Sequence, residues 1–189
     1  LSKVDNSCSV IMSVNNSLVN WGIEKYGTEE QKEKYLPKLA SGEWIGCMGL
    51  SEPDAGSDVA AITTTAEKQG DTYLLNGTKM WITNGPIADV AVVYAKTDPD
   101  QQHAGISAFI VEKDTPGYVV SRNLYKMGVR TSPTSELAFT DCEIPAENLL
   151  RFEGGGFLMV GGKQSFGAGG YFQSSVDSLL PVSMELKSE

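Results

Sequence analysis

Between Asp5 and Gly27 the apolar residues Val10, Ile11, Val14, Leu18, Trp21 and Ile23 return at near-helical spacing, and Gly27 stands where a C-cap would end that helix. A second helix starts at once. Thr28 has Gln31 three positions on, so each side chain can satisfy the other's free helix-start amide, and Glu29 and Glu30 suit the positive end. Residues 5 to 42 therefore read as a helical hairpin, with an irregularity expected at Pro37.

From Ile45 the period of the pattern falls to two. AITTTAEKQGDTYLLNGTKMWITNG holds two β-rich runs around Gln69-Gly70-Asp71, a hairpin signal, with further turn pairs at Asn76-Gly77 and Asn84-Gly85. DVAVVYAK, GISAFIVEK, GYVVS and SELAFTDCEI supply four more strands at short spacing. Strands this close, with no helices between them, predict an antiparallel barrel or sandwich, giving an α+β fold class. After Pro145 a short helical signal, AENLL, leads into GGGFLMVGGKQSFGAGGYF. The eight glycines of that stretch would each weaken a helix by about 1 kcal/mol relative to Ala. A helix around SVDSLL is the last element expected.

Composition narrows the function classes more than the fold. At 189 residues and 41% hydrophobic, the chain can bury one good core in one or two domains. Its net charge of −9 leaves no basic face for a nucleic-acid backbone or an anionic membrane surface. No apolar run approaches the roughly 20 residues of a membrane span, and the first twenty residues lack the form of a signal peptide. Cys8, Cys47 and Cys142 are far apart and form no C-x-x-C pair, so neither a disulfide framework nor a zinc site is indicated. A reducing compartment follows. A start at Leu1 rather than Met reads as a fragment or a processed product.

Candidate chemistry is sparse. The single histidine, His103, reads as a loop tip in DPDQQHAG, since no Ser or Cys nucleophile context points to it. The glycine cluster fails as a phosphate loop: G-x-x-x-x-G-K-[ST] needs Gly where Phe157 stands and Ser or Thr where Gln164 stands. In GLSEPDAGSD, Pro53 and Gly56 force turns and Ser51, Ser57 and backbone amides converge around Glu52, Asp54 and Asp58. By spacing alone, a loop that caps its own backbone is the better reading there. MWITNG likewise has two readings. Trp81 and Ile82 can be alternating core residues, or Trp81 can be the flat wall of an apolar pocket with the Thr83 hydroxyl as its polar pin.

Taken in order, YGTEEQKEKYLPKLASGE, GLSEPDAGSD, YLLNGTKMWITNG, KMGVRTSPTSELAFTDCEIPAENLL and EGGGFLMV resemble the acyl-CoA dehydrogenase family, especially its short-chain and isovaleryl-type members, over residues 7 to 160. The resemblance implies the end of an N-terminal helical domain over 1–44, a middle β-domain over 45–143, and the divergent remnant of a C-terminal helical domain over 144–189. It also implies FAD as cofactor. Met48, Gly49, Leu50, Ser51, Glu52, Pro53, Asp54, Ala55, Gly56 and Ser57 match the strand and loop that lie along the flavin and its pyrophosphate. Ser51 matches a hydroxyl on the flavin ring, and Ser57 one that touches the FAD phosphates and borders the acyl-CoA. Trp81, Ile82 and Thr83 match the segment that backs the isoalloxazine, with the Thr hydroxyl near N5.

The family reaction takes a proton from the acyl-CoA α-carbon and a hydride from the β-carbon, then passes electrons to an electron-transferring flavoprotein. Members are usually homotetramers of the mitochondrial matrix or the bacterial cytoplasm. Here the pattern breaks. The catalytic glutamate falls in an L-D-x-E-R-type helix or much later, yet GGKQSFGAGG holds no Glu, and Glu185 and Glu189 match neither motif. No catalytic base is assigned. A catalytically inactive binding or assembly piece and an acyl-CoA oxidase are the alternative readings.

Overall fold

The computed structural model describes residues 3–150. The first helical run is continuous but not uniform: α1 (Asn6–Ser13), a π-helical segment (Val14–Asn20) and α2 (Trp21–Tyr26) follow one another directly. Asp5 caps the start, accepting the Ser7 amide at 2.7 Å. Within the π segment the buried Asn15 side chain donates to Leu39 O at 3.1 Å and accepts from Gly46 N at 2.8 Å. One amide thus joins this helix to the next helix and to the first strand.

Gly27 does end α2, but in an extended conformation rather than the left-handed one expected of a glycine C-cap. The left-handed cap is Gly42, at φ 78°, which closes α3 (Glu29–Ser41). The reciprocal cap at the start of α3 is present, Thr28 N donating to Gln31 Oε1 at 2.9 Å and Gln31 N to Thr28 Oγ1 at 3.2 Å. Pro37 sits inside α3 and the helix runs on. Pro37 and Glu33, four residues before it, are both exposed, so water can reach the carbonyl that lacks its N–H partner.

Among the described residues eight strands follow: β1 (Gly46–Gly49), β2 (Thr65–Gln69), β3 (Thr72–Thr83), β4 (Val90–Lys96), β5 (Ile106–Glu112), β6 (Tyr118–Asn123), β7 (Thr134–Pro145) and β8 (Leu149–Leu150). Their order in the sheet is β6-β7-β3-β2-β4-β5-β8, with β1 alongside β4. Most neighbours are antiparallel, as the short spacing predicts. The exceptions are β1, parallel to β4 over Gly46 to Gly49, and β2, which meets β4 in parallel at Thr65. The sheet is therefore mixed, and it is an open path rather than a closed barrel. β4 is buried along VAVVYA, as a strand with neighbours on both edges and cover on both faces must be. It centres a core that includes Cys47, Leu75, Val93, Phe109, Leu137 and Ile144.

Two local expectations are corrected. Asn76-Gly77 is not a turn: it lies inside β3 at a bulge against β7, where Gly77 takes φ 146° and a Cβ would stand 2.5 Å from Thr64 Oγ1. AENLL is helical only at its start, because Ala146–Asn148 forms a 3-10 helix and Leu149–Leu150 is a strand that pairs with β5. The glycine-rich stretch and the SVDSLL helix lie outside the described residues. His103 falls in the 3-10 stretch Pro99–Gly105 between β4 and β5, and its side chain also lies outside them. Among the described residues no helix is long and apolar enough to cross a membrane.

Candidate functional site

β1 ends at Gly49, and the chain then runs as an irregular loop through Asp58. The loop makes a tight turn over Pro53-Asp54, closed by Glu52 N to Ala55 O at 2.8 Å and Ala55 N to Glu52 O at 3.3 Å. This sorts its residues into two sides. Glu52 and Ala55 are buried, whereas Pro53, Asp54, Gly56 and Ser57 are exposed.

The inner side is anchored on β3. Met80 N donates to Ser51 O at 2.8 Å, and Lys79 Nζ donates to Leu50 O at 3.2 Å and to Glu52 Oε1 at 2.7 Å. Lys79 is wholly buried, its stem running against Gly49, where a Cβ would stand 3.3 Å from Lys79 Cγ. Glu52 is the hub of the arrangement. Besides Lys79 it accepts Thr63 N at 2.6 Å and Thr63 Oγ1 at 2.8 Å on one oxygen, and Thr64 N at 3.0 Å and Thr64 Oγ1 at 2.5 Å on the other.

Electrostatics follow from this packing. Burial raises the Glu52 carboxyl, but hydrogen bonds from Lys79, Thr64 and the Thr63 amide outweigh it and hold the group at about 2. Burial lowers the Lys79 ammonium to about 8, partly opposed by Glu52. Both groups are therefore charged at neutral pH.

The outer side is completed by β3. Lys79 pairs with Leu137 and Ile82 with Ser135, so three steps along β3 oppose two along β7, and the extra residue makes a bulge. The bulge reverses the alternation: Ile82 is 2% exposed, whereas Trp81 is 62% exposed at φ 64°. Left-handed backbone at a bulky residue costs on the order of 1–3 kcal/mol and is found mainly where function requires it. The core reading of MWITNG thus holds for Ile82 and fails for Trp81. Beyond the half-buried Thr83, Asn84 pins the turn by donating to Ile11 O and Gly46 O, both at 3.1 Å.

The structure therefore brings the two polar stretches together, since Ser51 is bonded to the residue next to Trp81. Met48, Gly49 and Leu50 enter along the strand side, and Ser57 stands on the exposed rim. Among the described residues the hydroxyls of Ser51, Ser57 and Thr83 have no hydrogen-bond partner, and the Gly56 and Ser57 amides have no acceptor. Glu52 differs from the other expected contact residues: its carboxylate oxygens are engaged within the protein, so it braces the loop. Lys79, Thr63 and Thr64 were not picked out by sequence reasoning. The available signal was a lysine in phase with the core positions of an apolar strand, opposite a carboxylate in a turn.

A family model for the acyl-CoA dehydrogenase middle domain matches residues 47–142, and one for the N-terminal domain matches residues 1–43. Mitochondrial isovaleryl-CoA dehydrogenase of Pongo abelii is 49% identical over 162 residues, covering 85% of this chain and 38% of that protein. The mitochondrial short-chain specific acyl-CoA dehydrogenase of Mus musculus is 48% identical over 160 residues, covering 85% and 39%. Among solved structures, a glutaryl-CoA dehydrogenase from Mycobacterium smegmatis in complex with FADH2 matches with a TM-score of 0.70 and 47% identity, covering 75% of this chain and 35% of its own. The chain thus spans about two-fifths of the length of the curated relatives it matches.

Proposed function

Because the chain belongs to the acyl-CoA dehydrogenase family, we propose that it carries the flavin-facing part of an FAD-dependent dehydrogenase of short- or branched-chain acyl-CoA. The observation that carries this reading is the exposed Trp81 ring, held in a left-handed turn beside a loop whose Ser51 and Ser57 hydroxyls and Gly56 and Ser57 amides have no partner among the described residues. The donor set fits a flavin dinucleotide. A flat apolar wall suits the ring system, and neutral hydroxyls and backbone amides can hold a pyrophosphate without cationic side chains. FAD, when bound, supplies the hydride acceptor.

The chain's own residues bind and orient it. Trp81 backs the ring, and Ile82 fixes Trp81 by burying its own side chain. Ser51 and Thr83 offer hydroxyls to the polar edge of the ring. Ser57, with the amide of Gly56, offers donors to the phosphates, and Ser57 also borders the acyl-CoA. Met48, Gly49 and Leu50 line the approach from β1, while Pro53 and Asp54 form the turn that aims Gly56 and Ser57. Glu52 and Ala55 hold the loop from behind. No proton-abstracting base is assigned among the described residues. Electron transfer to an electron-transferring flavoprotein, assembly as a homotetramer, and a place in the mitochondrial matrix or bacterial cytoplasm complete the proposal.

The test is titration of the chain with FAD, followed by quenching of flavin fluorescence and by flavin retained after desalting. One flavin per chain, reduced by Ser51→Ala and Trp81→Gly, is the expected result. No retained flavin would overturn the reading.

A further inference from the structure

We propose that the buried Glu52–Lys79 pair, clamped by Thr63 and Thr64, is a positioning latch: it holds the loop after β1 against the β3 bulge and so aims Ser51, Ser57 and Trp81 at a ligand that neither charged residue touches. The identity of that ligand rests on the flavin reading above. The latch itself rests on geometry alone.

Three segments distant in sequence meet at one carboxylate. The loop supplies Glu52, the approach to β2 supplies Thr63 and Thr64, and β3 supplies Lys79, giving five donors on two oxygens at 2.5 to 3.0 Å. Lys79 Nζ adds a second bond to the loop at Leu50 O. Stability does not require such an arrangement, because well-packed apolar side chains of similar volume usually do as well as a buried ion pair. What an ion pair adds is direction. Each of the six bonds has a fixed geometry, and together they determine the path of Leu50 to Glu52 relative to Lys79 in a way that apolar contacts cannot.

The second observation is the strain two residues further on. A left-handed Trp81 persists when its surroundings over-determine it. Lys79 is held on one side by Glu52 and Leu50, Met80 is held by Ser51 O, and Asn84 is held on the other side by Ile11 O and Gly46 O. The bulge is therefore fixed at both ends. Without the latch, β3 can slip the extra residue out of the bulge and turn the Trp81 ring toward the core face, which is the alternation the sequence itself suggests.

The decisive variant removes both charges together, Glu52→Leu with Lys79→Met, so that no unpaired buried charge remains. Amide hydrogen exchange in the 189-residue chain is then compared at Met80, Trp81 and Ala55 and at the remote β4–β5 amides. The latch predicts at least tenfold faster exchange at the first group with β4–β5 unchanged, and at least tenfold weaker FAD binding. Wild-type protection at Met80 and Ala55 in the double variant would overturn it, leaving the pair a mere charge balance. Thr63→Ala is the mild variant, at an exposed residue that removes one of the five donors from Glu52. Its expected effect is about threefold on the same amides, and no effect there counts against the latch even where the double variant fails to fold. If the unaltered chain binds no FAD, the proposed function falls, while exchange at Met80 and Ala55 still decides the latch.

Discussion

β4 with β5 and the second half of β3 belong to one sheet, yet they are built on opposite principles. β4 pairs with β5 in an unbroken register from Val90↔Glu112 to Lys96↔Ile106, and Val90 to Ala95 are all buried. Its order comes from removing apolar area from water, a force without direction. β3 loses register twice against β7, buries a lysine, carries a left-handed tryptophan and leaves that ring in solvent. Its order comes from aimed hydrogen bonds. The first design tolerates substitution by volume and presents nothing, while the second presents groups at fixed places at the expense of strain.

The comparison breaks most clearly through paired substitutions. Lys79→Met leaves the Glu52 carboxylate buried beside an apolar side chain, a loss of about 3–5 kcal/mol. Phe109→Ala in β5, where Phe109 is fully buried against Tyr73, is expected to lose a similar ~3–5 kcal/mol through its cavity. The two differ in rescue. Adding Glu52→Leu to Lys79→Met should recover part of the loss in urea unfolding, because the uncompensated charge goes, while the buried Thr64 amide and hydroxyl still lose their acceptor. No single charge change should recover Phe109→Ala. Failure of the first rescue would mean that the loss in Lys79→Met does not come from an unpaired Glu52 carboxylate.

Acid distinguishes the two regions next. The Glu52 carboxyl is held at about 2 in the folded chain against an ordinary 4.5, so its stabilisation is complete above about 4.5 and is lost as pH falls toward 2. Over that window it amounts to about 3 kcal/mol. Lys79, lowered only to about 8, stays protonated throughout and adds no slope of its own. Stability measured between pH 5 and 2.5 should therefore fall less steeply in Glu52→Gln than in the unaltered chain. Equal slopes in both would show that the carboxylate is not held as the geometry implies.

How far each region was legible follows from the same contrast. VAVVYA and ISAFIVE announce themselves by composition, and Thr28 with Gln31 announces a cap by spacing, because each signal is local. The parallel pairing of β1 with β4 was not legible, since it joins Gly46–Gly49 to residues more than forty positions away. Nor was the bulge at Lys79–Ile82, because period two continues through it on paper and its extra residue is visible only against β7. Asn76-Gly77 misled for the same reason. A dipeptide that favours positive φ serves a turn and a bulge equally. Within the proposed site, the hydroxyls of Ser51, Ser57 and Thr83 are singled out only by the family pattern, and the Glu52–Lys79 latch is not singled out at all. Its four residues are scattered over three segments and carry no short motif.

Trp81→Gly sharpens the contrast at a smaller scale. Glycine takes φ 64° without steric cost, and the ring it removes is mostly in solvent, so relief of strain should exceed the added unfolded-state entropy. The expected result is a gain of about 1 kcal/mol in stability together with weaker FAD binding. Core residues such as Val93 offer no comparable exchange, since shrinking them loses stability and affects no ligand directly. A clear loss of stability in Trp81→Gly would show that the left-handed turn carries no strain, and that the tryptophan packs where the structure shows it exposed.

Smallest in stability, and most specific, is Ser51→Ala. Its carbonyl holds Met80, which the substitution leaves intact, and its hydroxyl has no partner among the described residues, so unfolding should change by less than about 0.5 kcal/mol. If that hydroxyl faces a ligand, its removal weakens FAD binding by about fivefold to tenfold, in line with one hydrogen bond of about 1–1.5 kcal/mol. A hydroxyl that matters to stability would belong to the fold, as those of Thr63 and Thr64 do. One that matters only to binding belongs to the surface the latch exists to present, and Ser51 is predicted to be of that second kind.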